Sequence, residues 1–146
     1  MKKYINKNIL LNTIINFIFL ILIEIIFKIV NFYNLIDYSS IRILISSLLL
    51  GFIIGNLEYF INKKLHKYIN IVLIFISSIY ALAETGFNNF IGVYMSLGTS
   101  SQLGAVIDYI REFILSFKWY YYFLLLPSIL MVLYYIFINK KIIINY

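Results

Sequence analysis

The chain contains no cysteine, one proline, one histidine and one tryptophan among its 146 residues. Without cysteine there is no disulfide, no thiolate nucleophile and no thiolate-held metal. His66 cannot build a metal site alone. With no second histidine and no carboxylate cluster, the serines and threonines form neither a triad nor a two-metal site. Charge is scarce too: 12% of residues are charged, against about a quarter in soluble domains. Hydrophobic residues make up 63%, and the mean hydropathy is +0.94. These values exclude an ordinary soluble domain and leave an integral membrane protein. The length allows a few spans and no separate catalytic domain, so this stretch is expected to catalyse nothing and to hold no cofactor. The net charge of +6 comes from lysines at span ends. It is therefore read as topology, with no nucleic-acid partner.

What is present is a series of long apolar runs. The expected fold is all-α and polytopic, with four transmembrane helices at about 9–30, 41–61, 68–87 and 119–138, and an extracellular interfacial segment at 88–118 carrying an amphipathic helix. The basic start before the first run is not a signal peptide, because the run is too long and no small-residue cleavage site follows. Within it, Glu24 and Lys28 lie one turn apart and are expected to neutralise each other. That ion pair is favoured over a proton or ion relay, since no second intramembrane carboxylate lies nearby in sequence. Ser47, Gly51 and Gly55 recur every four residues, as do Ser77, Ala81 and Thr85. Such small-residue ladders let helices approach closely, and packing of the second span on the third is favoured over dimerisation. His66, in a short basic turn, is expected to be solvated. Pro127, in mid-span, leaves the Phe123 carbonyl without its usual partner, so a kink is expected there, accommodated by neighbouring helices or Ser128.

The sidedness of Lys and Arg sets the orientation. Lys2, Lys3, Lys7, Lys63, Lys64, Lys67, Lys140 and Lys141 fall on one side; Lys28, Arg42, Arg111 and Lys118 fall on the other. The positive-inside rule places both termini in the cytoplasm and residues 84–120 outside. That outer stretch is the least apolar of the long segments and holds three of the six acidic residues. From Leu103 to Phe117 the apolar positions repeat with helical period. Asp108, Arg111 and Glu112 take the opposite side, which describes a helix lying in the interface. Gly98 is expected to end the preceding helix, and Phe87–Ile91 to form a short second interfacial piece. Trp119 and Tyr120 to Tyr122 form an aromatic belt where the fourth span enters the bilayer.

Phe87-Asn88-Asn89-Phe90, Ser101-Gln102-Leu103-Gly104 and Ser116-Phe117-Lys118-Trp119-Tyr120 together resemble the third-to-fourth-span region of lipoteichoic acid synthases and related phosphoglycerol transferases of the alkaline phosphatase/sulfatase superfamily. The resemblance covers the whole chain in layout and about 74–138 in texture. Asn89 and Tyr121 depart from it, standing where the family often has acidic residues. It implies a bacterial plasma-membrane module bearing five spans. A missing extracellular catalytic domain would follow in cis and use a threonine nucleophile and manganese to transfer glycerol phosphate from phosphatidylglycerol. A fifth span would begin near Ile142.

On this reading Glu84, Asn88, Asn89, Gln102, Arg111, Lys118 and Trp119 are candidates for contact with a lipid headgroup or for docking the catalytic domain, Arg and Lys being the usual partners of phosphate. The competing reading pairs Arg111 with Asp108 or Glu112 and lets Lys118 snorkel. An alternative function is a stand-alone, non-enzymatic membrane protein, an assembly or lipid-binding partner. A channel or transporter is disfavoured by the absence of paired interrupted spans and of a row of intramembrane charges.

Overall fold

In hydrocarbon every backbone N–H must be bonded within its own segment, so apolar runs of this length become helices. The computed structural model describes residues 7–57, 60–92 and 110–144. Among these the elements are α1 (Lys7–Val30), α2 (Tyr38–Asn56), α3 (Lys63–Ile91), α4 (Ile110–Leu115), a 3-10 helix (Trp119–Leu125) and α5 (Leu126–Ile144). Three helical stretches, Leu10–Val30, Leu65–Ile91 and Trp119–Phe137, are long and apolar enough to cross a membrane; the apolar part of α2, Ser40–Asn56, is shorter. α2 ends at Asn56, five residues before the expected end of the second span.

The ends of the helices are chemically specified. α1 closes with Phe32 in the left-handed region (φ 59°). The Tyr33 N–H bonds to Lys28 O at 2.8 Å and the Phe32 N–H to Ile29 O at 3.2 Å, a Schellman pattern with phenylalanine where glycine is usual. Asp37 caps α2: its carboxylate accepts the Ser40 N–H at 2.9 Å, and its own N–H donates to the Ser40 hydroxyl at 3.2 Å. This reciprocal pair is a capping box. α3 runs without a break through Phe87 to Ile91 and stops at Gly92 (φ 85°), whose N–H bonds to Asn88 O at 2.8 Å. The expected separate interfacial piece is therefore the last turn of α3. Gly98, expected to be the breaker, lies outside the described residues, as does the interfacial helix before Ile110.

Successive long helices run up and down. α1 packs closely along α2 and also against α3; α3 packs against the 3-10 segment and α5; α2 and α3 scarcely touch. The core is formed by Ile15 and Ile23 of α1, Ile74 and Ala81 of α3, and Tyr121, Leu124 and Met131 of the last span. One face of α3 is buried from end to end through His66, Asn70, Ile74, Ser78, Ala81 and Thr85, positions three or four apart, as a helix contact face requires. Two polar residues of this face bridge to neighbours: Asn70 Nδ2 donates to Tyr135 Oη at 2.7 Å, and Thr85 Oγ1 accepts from Asn31 Nδ2 at 3.1 Å. His66 is buried at 2% exposure, with Nε2 3.0 Å from Ile54 O. It is not solvated as expected; it ties the start of α3 to the end of α2.

Gly51 and Gly55 of the small-residue ladder of α2 face α1 rather than α3. A Cβ on Gly51 would lie 3.0 Å from both Phe17 N and Thr13 O. A Cβ on Gly55 would lie 2.9 Å from Thr13 N and closer still to the Thr13 hydroxyl. The two backbones meet because nothing projects between them. At Pro127 the Phe123 carbonyl accepts the Leu126 N–H instead of a bond from the ring nitrogen, so a 3-10 turn supplies what the proline removes. The Ser128 hydroxyl donates to Leu125 O at 2.9 Å.

Candidate functional site

Because α2 and α3 both lean on α1 and scarcely touch beyond the His66–Ile54 contact, a cleft of about 350 Å³ lies between them. Its floor is α1, through Leu20, Ile23, Glu24 and Phe27; Ser46, Ser47 and Leu50 of α2 form one wall; Ile76, Ser77, Tyr80, Ala81 and Glu84 of α3 form the other. The lining is apolar for most of its area, with two carboxyls and four hydroxyls placed in it. Glu24 and Glu84 are separated by 60 positions in the chain, yet both face this space. Neither carboxyl has a hydrogen bond or close ion pair with another described residue.

Lys28 does not serve as the close partner of Glu24. Its ammonium donates to Asp37 Oδ1 at 2.7 Å, to Ser40 Oγ at 2.8 Å and to Asn34 O at 3.3 Å. The residue is 7% exposed, so these bonds satisfy a cation that burial would otherwise penalise. The connector after α1 outcompetes Glu24 because it offers a carboxylate, a hydroxyl and a carbonyl in one place. Sequence spacing alone showed only the neighbour one turn away.

No family model, curated protein or solved structure matches this chain.

A second assembly lies at the end of the bundle where α3 stops and the last span begins. Phe117 sits over Gly86, where a Cβ would come within 2.5 Å of its Cζ. Its ring meets Phe113 edge-on at 5.1 Å and Tyr121 at 6.1 Å; Phe90 meets Phe113 at 5.8 Å. Asn89 Nδ2 donates to Ser116 O at 3.4 Å. The collar extends to Phe32, which meets Tyr120 at 6.3 Å. Such edge-to-face pairs each add about 0.5–1.5 kcal/mol beyond area burial.

The sequence-selected residues separate accordingly. Asn89 joins the collar. Asn88 contributes its carbonyl to the Gly92 cap. Trp119 is 75% exposed and packs edge-on against Tyr120 and Phe123. Lys118 is exposed, with Nζ 5.9 Å from the Tyr120 ring centroid. Arg111 is exposed on α4, with no ion pair to another described residue; Asp108 and Gln102 lie outside the described residues. Glu84 belongs to the cleft, as do Ser47, Ser77 and Ala81. In the expected aromatic belt Tyr121 is buried at 4%, while Tyr122 is exposed. Among the described residues no group of three or more His, Cys, Asp or Glu could hold a metal ion. Sequence reading missed the Glu24–Glu84 juxtaposition; its only signal was that each acid interrupts an apolar run.

Proposed function

We propose that this chain is the membrane module of a lipoteichoic acid synthase-like phosphoglycerol transferase of the bacterial plasma membrane, carrying no catalytic residues of its own. In this reading α2 is a fourth span. At about 1.5 Å per residue its 19 residues reach roughly 28 Å, near the thickness of the hydrocarbon core. Its outward positions Leu48, Leu49, Phe52 and Ile53 are all exposed and apolar. Both termini lie in the cytoplasm, and the aromatic collar lies on the outer face, where an extracellular domain or a phosphatidylglycerol headgroup would meet it.

One observation carries the reading. Two of the stretches that resemble the family, Phe87–Phe90 and Ser116–Tyr120, pack directly on each other through Asn89 and Ser116 and alongside the Phe117–Gly86 contact. Shared sequence texture then coincides with shared packing, which is what a common docking platform requires.

The test is the intact mass of the natural gene product in its own membranes. A product several times heavier than 17.3 kDa, with a protease-accessible extracellular domain that transfers glycerol phosphate, is expected. A product of 17.3 kDa would sink the proposal in favour of a stand-alone membrane protein.

A further inference from the structure

The cleft between α2 and α3 has a chemistry that the anchoring role leaves unused. We infer that it is a binding site for an amphiphilic amine, a ligand with a single ammonium group on an apolar body, and that Glu24 and Glu84 receive the ammonium.

The argument starts from charge. Two carboxyls share one space, and Lys28, one turn along α1 from Glu24, makes its close bonds to Asn34, Asp37 and Ser40. An acidic pair inside a membrane bundle calls for a neutralising partner. A second observation comes from Ser47. It is 4% exposed and lines the cleft. Its neighbours Ser46 and Ser77 spend their hydroxyl protons on Ile43 O and Leu73 O at 3.0 and 2.9 Å. The Ser47 hydroxyl has no hydrogen-bond partner among the described residues. A buried polar group left open beside two carboxyls is a place for a ligand's polar atom.

Size and lining select the class. A calcium or magnesium ion needs six or more oxygens converging at about 2.0–2.6 Å, whereas this space is about 350 Å³ and mostly apolar. That volume lies at the small end of organic-ligand pockets, about 300–1,000 Å³. Phe27 and Tyr80 line it, and aromatic faces beside carboxylates attract ammonium groups. Leu50, Ile76 and Tyr80 are about half exposed at its mouth (50%, 56% and 53%), so a ligand dissolved in lipid enters from the side, apolar body against α2 and α3.

The full chain in phosphatidylcholine nanodiscs, dialysed against isotopically labelled octylammonium with uptake by empty nanodiscs subtracted, tests this. One saturable site per chain is expected. Affinity should fall about tenfold or more in the Glu24→Gln/Glu84→Gln double variant, as loss of charge-assisted bonds implies. The exposed Glu112→Gln on α4 should leave it unchanged. Leu50→Trp fills the mouth while keeping both carboxyls, and should abolish binding; it decides the matter if the double variant loses its helical circular dichroism. Equal binding in wild type and Leu50→Trp overturns the inference. Displacement by octanol as effective as by unlabelled octylammonium overturns it in favour of a plain apolar slot. Displacement by sodium at matched concentration overturns it in favour of an ion site.

Discussion

The two sides of α2 teach opposite lessons about how a membrane bundle is held. Toward α1 the helix presents Gly51 and Gly55, backbone meets backbone, and the polar connector is knotted around Lys28. Toward α3 it presents Ser46, Ser47 and Leu50 to an open cleft. Lipid is as apolar as leucine, so burial against a neighbour drives association only weakly; close contact and hydrogen bonds must do it. The glycine side is therefore where stability resides, and the serine side is free to take something else.

The largest effect should come from placing a side chain between α1 and α2. Gly55→Leu has to displace the Thr13 backbone and should destabilise the chain by about 3 kcal/mol or more, read as a lower unfolding midpoint in bicelles titrated with dodecyl sulfate. If that midpoint holds, the two helices are not joined there. Next comes Asp37→Ala, which removes both the α2 cap and the carboxylate on Lys28. The Asp37 side chain is 40% exposed, so solvent screening limits the pair energy, and about 2 kcal/mol is expected in the same titration. Asp37→Asn should keep the cap share alone. Gly86→Ala, under the Phe117 ring, should cost about 1 kcal/mol and shift the emission of Trp119, two residues from that ring; an unmoved spectrum would mean the collar yields without strain. Smallest is Leu50→Ala on the open side, expected within about 0.5 kcal/mol of wild type. A loss near that of Gly55→Leu would erase the contrast.

Much of this was legible in the sequence. Apolar runs marked the helices, and small residues marked the close contacts, because both signals are local. Which helix the glycines faced was not legible, since a four-residue ladder specifies a stripe and not its partner. Lys28 makes its close ion pair with Asp37 rather than Glu24 for a related reason: i,i+4 spacing ranks only partners on the same helix, and the connector residues Asp37 and Ser40 offered more acceptors. His66 looked like a turn residue by its lysine neighbours, yet the helix begins before it and carries it inward. Glu84 was chosen as an outer-segment candidate. The helix continues past it for seven residues to Ile91, and it lines the cleft together with Glu24. The polar cluster at Thr99–Gln102 lies outside the described residues.

The 3-10 segment before Pro127 also acts as a ruler. Its rise is about 2.0 Å per residue against 1.5 Å in an α-helix, so the seven residues Trp119–Leu125 gain roughly 3.5 Å of reach for the same length of chain. Its three-residue period stacks Tyr121, Leu124 and Pro127 in one buried column, and Trp119 and Tyr122 in an exposed one. The seven-residue 3-10 segment thereby sets both how far this stretch reaches and which aromatic rings are buried and which exposed.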